Sequence, residues 1–194
     1  MTSLKSCYNA NLREAGLDEA GRGCLAGPVV AAAVMLPPDY QHPFLTDSKQ
    51  LSRARRDKLR PVIERDAVAW AVAEVSPADI DRINILQASF LAMHRAVDAL
   101  SLAPEHLLVD GNRFAPYPMI PHTCLIKGDS LFLSIAAASV LAKCYRDDLM
   151  EAIGQQFPEY GWAQNAGYPT VTHRRAILEH GPTVWHRMSF KLLS

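Results

Sequence analysis

Residues 13–36 read REAGLDEAGRGCLAGPVVAAAVML, and this stretch decides the fold. Arg13–Ala20 predicts a short strand that ends at Gly21. Val29–Leu36, a run of Val and Ala closed by Pro37 and Pro38, predicts a second. The Gly-rich loop between them predicts a hairpin. Working outward, Ser52 is placed to cap a charged helix, and Ala67–Val75 alternates as a strand. Ser76-Pro77 opens a helical region. Ile85, Leu86, Phe90, Met93 and Val97 recur at helical spacing, which predicts a helix over Ile85–Leu100. His106–Val109 is a short apolar strand that ends in Asp110-Gly111, and Met119–Ile126 is another. A long helix follows over Leu131–Ile153. The chain is helical again from Thr170 until Gly181-Pro182 stops it. Strands first, with helices mixed in later, predict an α/β domain with a mixed sheet.

The chain has 194 residues, 49% of them apolar and 21% charged, which is ordinary for a globular protein and excludes a disordered tail or a collagen. With no repeat or linker, one domain spanning 1–194 is expected. Lys plus Arg and Asp plus Glu each number 20, so the formal net charge is zero and composition gives no hint of a polyanion. Cys7, Cys24, Cys124 and Cys144 show no metal-binding spacing and read as reduced thiols. Pro28–Leu36, the longest apolar run, is far short of the roughly 20 residues of a membrane helix. No signal-peptide core precedes it, so a cytoplasmic protein with no membrane partner is expected.

The informative residues are acids at the ends of apolar strands. Asp18 and Glu19 follow Ala15-Gly16-Leu17, Asp110 follows Leu107-Leu108-Val109, and Asp129 precedes the long helix. Strand ends form the sheet rim, where open α/β folds place ligands. Converging carboxylates repel one another unless a hard divalent cation such as Mg²⁺ or Mn²⁺ joins them. Two such ions can clamp the attacking and leaving oxygens of a phosphodiester. Plainer readings stand beside this one: Asp129 as a helix cap, Asp110-Gly111 as a turn. Asp18 and Glu19, being adjacent, point to opposite faces of a regular strand unless it bends. Gly21-Arg22-Gly23-Cys24-Leu25-Ala26 also fits a dinucleotide pattern, but a strand follows it where a helix is required.

Taken together, several motifs resemble the type 2 ribonucleases H, specifically the bacterial ribonuclease HII family. They are GLDEAGRGCLAGPVVAAAV (Gly16–Val34), TDSKQLS (Thr46–Ser52), INILQAS (Ile83–Ser89), LLVDGN (Leu107–Asn112), IKGDSLFLSIAAASVLAKCYRD (Ile126–Asp147), GYPTVTH (Gly167–His173) and GPTVWHRMSF (Gly181–Phe190). The resemblance implies an RNase H-like fold: a central mixed sheet flanked by helices, with a helical C-terminal part over about 155–194. It implies a catalytic, metal-binding quartet of Asp18, Glu19, Asp110 and Asp129, with two Mg²⁺ or Mn²⁺ ions in the reacting complex. Glu19 would serve through its side chain at a bent strand end or through its backbone carbonyl.

The resemblance also implies substrate contacts. Gly21, Arg22 and Gly23 would read the ribose 2′-hydroxyl 5′ to the cut, the group that separates RNA from DNA. Tyr168 would stack on the next sugar, where a deoxyribose fits best. Lys49, Lys127, Ser139, Lys143 and Arg146 would meet phosphates; the last three share a helical face at i, i+4 and i+7. The run Arg53, Arg55, Arg56, Lys58, Arg60 reads rather as a solvated helix face, and His173 and His186 as structural hydrogen-bonding residues. The implied activity is endonucleolytic: cutting the RNA strand of RNA–DNA hybrids and the 5′ side of single ribonucleotides in duplex DNA, leaving 3′-hydroxyl and 5′-phosphate ends. A non-catalytic hybrid-binding protein of the same fold is the alternative. Without an extra N-terminal domain the ribonuclease HIII branch is disfavoured. The short tail after Phe190 gives no sign of a sliding-clamp partner, so a monomer with no obligatory protein partner is expected.

Overall fold

The computed structural model describes residues 4–193 and contains a five-stranded mixed sheet in the order β3-β2-β1-β4-β5. β1 (Glu14–Ala20), β2 (Val29–Met35) and β3 (Ala69–Val75) form an antiparallel meander, with Asp18 opposite Ala32 and Val30 opposite Glu74. β4 (His106–Asp110) runs parallel to β1, and β5 (His122–Leu125) runs parallel to β4. The hairpin expected over 13–36 is therefore present, and its two strands are central. β5 is shorter than the Met119–Ile126 strand that was expected. Met119 has a positive φ of 64° and, between Pro118 and Pro121, cannot join a ladder.

Helices cover both faces. α1 (Arg53–Asp66) is capped by Ser52, whose hydroxyl accepts from the Arg55 amide. α2 (Pro77–Ile83) is capped by Ser76 with proline at its first position. α3 (Ile85–Asp98) is capped by Asn84, whose side chain accepts from the amides of Leu86 and Gln87. α4 (Leu133–Gln156) starts two residues later than expected and ends three later, with Asp129 left in a 3₁₀ turn before it. The C-terminal part contains α5 (Trp162–Asn165) and α6 (Val171–His180), and residues 182–193 follow as turns and irregular backbone.

Strand alternation sorts the core into layers. Ala15 and Leu17 of β1 and Val29, Ala31, Ala33 and Met35 of β2 pack with α2 and α3. Ala20 of β1 and Ala32 and Val34 of β2 face α1 and α4. α4 is the central helix: every residue from Leu133 to Ala142 is buried. Small residues let it come close, and at Gly16 an added Cβ would stand 2.2 Å from the carbonyl carbon of Ser134. A third cluster joins Leu25 and Ala26 to Met150, Ile153, Tyr160, Trp162 and Ile177, seating the C-terminal part on the end of α4. No described helix is long and apolar enough to cross a membrane.

Gly16→Ala is expected to destabilise the chain by about 3 kcal/mol or more, because the clash is with rigid backbone. Gly23→Ala, with nothing within 4 Å of the added methyl, should leave the thermal midpoint almost unchanged. Equal midpoints for the two variants would refute the close approach of β1 and α4.

Candidate active site

The strand ends gather the acids on one rim. Asp18 and Asp110 occupy positions of β1 and β4 that face α4, as do Gly16 and Leu108. Asp129 reaches the same rim from the turn that leads into α4. Its side chain does not cap that helix, whose N-cap is Phe132. Glu19 has the opposite parity, and β1 stays paired with β2 through Ala20, so the strand does not bend away there. Its carboxylate pairs with Arg22 at 3.1 Å and is almost fully shielded.

Each acid is held by local bonds. Asp18 accepts from the amide of Glu19 at 2.7 Å, and Asp110 accepts from the amide of Gly128 at 2.7 Å. Burial, reinforced by the charges of Glu19 and Asp110, pushes the Asp18 carboxyl well above the usual range. Burial also raises Glu19, against the pull of Arg22. Burial and the neighbouring Asp110 and Asp47 raise Asp129 to about 6. Lys49 is the counter-charge. Burial works against its proton, but Asp18, Asp47, Asp129 and Asp110 outweigh that and raise its pKa.

Two contributors were not singled out from the sequence. The Asp47 carboxyl lies near Asp129, helping to raise its pKa, and accepts from the Lys49 amide at 2.9 Å. It sits inside the TDSKQLS motif, two residues before Lys49, which is the signal that could have marked it. Ser48 bonds Ser139 at 2.8 Å, and the Ser139 hydroxyl, close to Asp18, eases the upward shift of its carboxyl.

The expected substrate residues divide into two sets. Arg22, Gly23, Lys49, Lys127 and Tyr168 are exposed, and Gly21 is buried at the base of its turn. Lys143 is partly exposed, salt-bridged to Asp147, and lies 5.8 Å from the centre of the Tyr168 ring. Two expectations need correction. Ser139, 4% exposed, faces Asp18 and not a solvent groove. Arg146, 0% exposed, spends its guanidinium on the carbonyls of Pro28, Ala166 and Ala26 at 3.0, 2.9 and 3.0 Å, so it cannot reach a phosphate. The Gly21–Gly23 turn leads into a loop and then β2, with no helix to receive a dinucleotide pyrophosphate.

The basic run is largely spoken for. Arg53 pairs with Asp57, Asp148 and Glu151, Arg56 with Asp147, and Arg60 with Glu64 and Asp148. Arg55 and Lys58 remain exposed and outside any ion pair among the described residues. His173 and His186 are buried. His173 accepts from the Trp162 indole at 2.9 Å, and its other ring nitrogen bonds the Tyr168 carbonyl at 2.9 Å. His186 Nδ1 accepts from the Thr183 amide at 2.9 Å, leaving its Nε2 to donate toward His173 at 3.2 Å. Burial holds both imidazoles neutral, with His186 lowered to about 4, so they organise the Tyr168 loop.

As a donor set, Asp18, Glu19, Asp110 and Asp129 supply only hard oxygens, and the raised pKa values of Asp18, Glu19 and Asp129 mark charge that a divalent cation would relieve. Among the described residues, no three His, Cys, Asp or Glu side chains form a ready-made metal cage. A hollow of about 190 Å³ lined by Cys7, Arg13, Glu14 and Ser134 lies at the other end of β1. At the acid rim Asp18 and Asp129 are buried, and Asp110 is partly exposed at the end of its strand.

Comparison with known proteins places this geometry. The family model described as Ribonuclease HII matches residues 15–193. A ribonuclease HII from Bacteroides fragilis is 66% identical over 185 residues, covering 95% of this chain and 92% of that protein. The ribonuclease H2 structure from Pyrococcus horikoshii superposes with a TM-score of 0.77 at 24% identity, covering 93% of this chain and 94% of that one; it shows the fold. The Archaeoglobus fulgidus ribonuclease HII, solved in complex with PCNA, gives a TM-score of 0.72 at 26% identity, covering 94% and 97%.

In chelator, Asp129 should make stability depend on pH. Its folded pKa of about 6 exceeds its ordinary 3.8, so its contribution is full below about 4 and is lost as pH rises through about 6. Asp129→Asn should therefore raise the midpoint of the metal-free chain at pH 7.5 by about 2–4 °C, a gain that fades toward pH 4. A lower midpoint at pH 7.5 would refute the crowding of these acids.

Proposed function

The chain belongs to the ribonuclease HII family and is a nuclease of the ribonuclease H class, and from that premise we propose that it hydrolyses the RNA strand of RNA–DNA hybrids and cuts on the 5′ side of single ribonucleotides in duplex DNA. One observation carries this reading: the acid rim of Asp18, Glu19, Asp110 and Asp129 lies beside the Gly21–Gly23 turn and, through that turn's loop, the exposed Tyr168. The acids suit phosphodiester chemistry, and the two loops suit recognition of one ribose and the sugar after it. The whole chain, 1–194, is read as a single ribonuclease H type 2 domain working in the cytoplasm.

The four carboxylates would hold a pair of Mg²⁺ or Mn²⁺ ions, which when bound supply an activated water and charge stabilisation at the leaving 3′ oxygen. The Glu19 amide orients Asp18, and the Gly128 amide orients Asp110, so both acids are held in place before substrate arrives. Backbone groups of Gly21 and Gly23, with no side chains in the way, can approach the 2′-hydroxyl. Tyr168, 42% exposed, offers a ring face to the following sugar. Lys49, Lys127 and Lys143 are placed to meet phosphates, which fix register and carry no sequence information. Because the net charge is zero, these local cations supply the attraction, and binding should weaken with salt. The complex of the Archaeoglobus relative with PCNA makes a docked protein compatible with this fold. The reading here is of one chain that needs no partner to cut.

The test is a labelled duplex with one ribonucleotide, beside an all-DNA duplex and a long hybrid, with Mg²⁺, Mn²⁺ or EDTA. One cut 5′ of the ribonucleotide, requiring metal and restored when metal is returned after chelation, is expected; cutting that survives EDTA would overturn the metal-dependent reading. Asp110→Asn should lower cleavage by more than about 100-fold, beyond the loss typical of an outer-shell partner, while the circular dichroism spectrum stays unchanged. Near-normal activity would remove Asp110 from the quartet. Tyr168→Ala should slow cutting at a single ribonucleotide by about tenfold, and unchanged kinetics there would count against stacking.

A further inference from the structure

Two arginines lie beneath the Gly21–Gly23 turn, and neither has a carboxylate partner among the described residues. Arg146 and Arg187 are both 0% exposed. Arg146 bonds the carbonyls of Pro28, Ala26 and Ala166, joining the loop after the turn to the loop before Tyr168. Arg187 Nε bonds the Gly27 carbonyl at 3.0 Å, and Nη1 bonds the Arg22 carbonyl at 2.9 Å, inside the turn itself. Its guanidinium rests 5.2 Å from the centre of the Phe190 ring. Fit is tight throughout: a Cβ on Gly21 would stand 2.0 Å from Arg146 Nε, and one on Gly167 2.5 Å from the Ala26 carbonyl oxygen. The two loops also meet directly, the Leu25 amide donating to the Gly167 carbonyl at 2.8 Å.

Burying a cation without a counter-ion is costly, and this fold does so twice in one place. Neutral carbonyls leave both charges uncompensated. What the arrangement supplies is rigidity: planar forks with fixed donor directions, Arg146 tied to peptide groups on both sides of the gap and Arg187 to the turn and the loop after it. We propose that Arg146 and Arg187 are positioning residues that fix the spacing between the Gly21–Gly23 turn and Tyr168, and so set the preference for an RNA-to-DNA step over continuous RNA. This rests on the two-loop reading of the substrate given above. A turn that reads one ribose and a ring that stacks on the next sugar can discriminate only if their separation is held to a fraction of a sugar's width. Tyr168 is anchored at its own end, its carbonyl taking the His173 bond and its amide donating to the Asn165 carbonyl at 2.9 Å. Arg146 carries that anchor across to the loop after the turn, and Arg187 fixes the turn to that loop.

The experiment compares kcat/KM on a duplex with one ribonucleotide and on a long hybrid for four chains: the parent, Arg187→Lys, Phe190→Leu and, as a surface control, Arg65→Lys. Thermal unfolding is followed in parallel. Lysine keeps the charge but cannot fork to two carbonyls. Arg187→Lys should lower the single-ribonucleotide to long-hybrid ratio by about tenfold, since small misplacements are costly in rate. Phe190→Leu, which removes the ring under the guanidinium, should lower it less, and Arg65→Lys not at all. Should Arg187→Lys lose cooperative unfolding, Phe190→Leu carries the test. Rates that fall equally on both substrates, or an unchanged ratio, would mean a purely structural role and overturn the proposal. A parent chain that ignores the embedded ribonucleotide would overturn the two-loop reading, and the spacing proposal with it.

Discussion

The distance between β1 and α4 is the constraint on which the rest depends. Gly16 has no room for a single methyl group, because the backbone of Ser134 is already there. Alanines on β2 and through the first half of α4 keep the same layer thin. With the helix at that distance, Ser139 comes against Asp18, and the turn before α4 delivers Asp129 to the rim where Asp110 ends its strand. The acids are thus positioned by the packing of small residues some way from them. A helix pushed outward would separate the donors without touching any of them.

How much of this is legible in the sequence depends on the range of the interaction. The hairpin, the serine caps at Ser52 and Ser76 and the turn at Gly181 are local chemistry, and they appear where the residues place them. Spacing also correctly put Ser139, Lys143 and Arg146 on one helical face. It could not say that this face turns inward at Ser139 and Arg146 and opens to solvent only near Lys143, since Ser139 is buried against Ser48 and Arg146 beneath the loops of Ala26 and Ala166, all far away in sequence. Asp47 escaped notice for a similar reason. Its partner Asp129 is distant in the chain, and neither acid announces the other. The parity conflict between Asp18 and Glu19 was legible, and β1 stays paired with β2 through both residues.

Charge is organised in two separate ways. Around the rim, like charges are crowded so that their carboxyls hold protons too tightly, with Lys49 the main local relief. Between α1 and α4, opposite charges interlock: Arg53, Arg56 and Arg60 meet Asp147, Asp148 and Glu151, and Arg60 also stacks 3.9 Å from the centre of the Tyr145 ring. Much of the cationic charge is consumed in this second arrangement. A neutral chain with a basic helix therefore offers a nucleic acid less positive charge than its sequence suggests, and Lys49 is the lysine whose charge is set among the rim acids.

The partners chosen by Arg146 and Arg187 have a consequence for how freely this sequence can drift. Every bond these side chains make goes to a carbonyl oxygen, a group that all residue types possess. The clamp therefore constrains the path of the backbone and is blind to the side chains strung along it. Arg22, Ala26, Pro28 and Ala166 could each be exchanged without costing the clamp a bond, provided the peptide keeps its place and nothing larger is forced inward. The two arginines enjoy no such latitude, and neither do Gly21 and Gly167, which leave them the space. Variation in this region should accordingly be written in the loops, over a scaffold of two cations and two glycines that stays put.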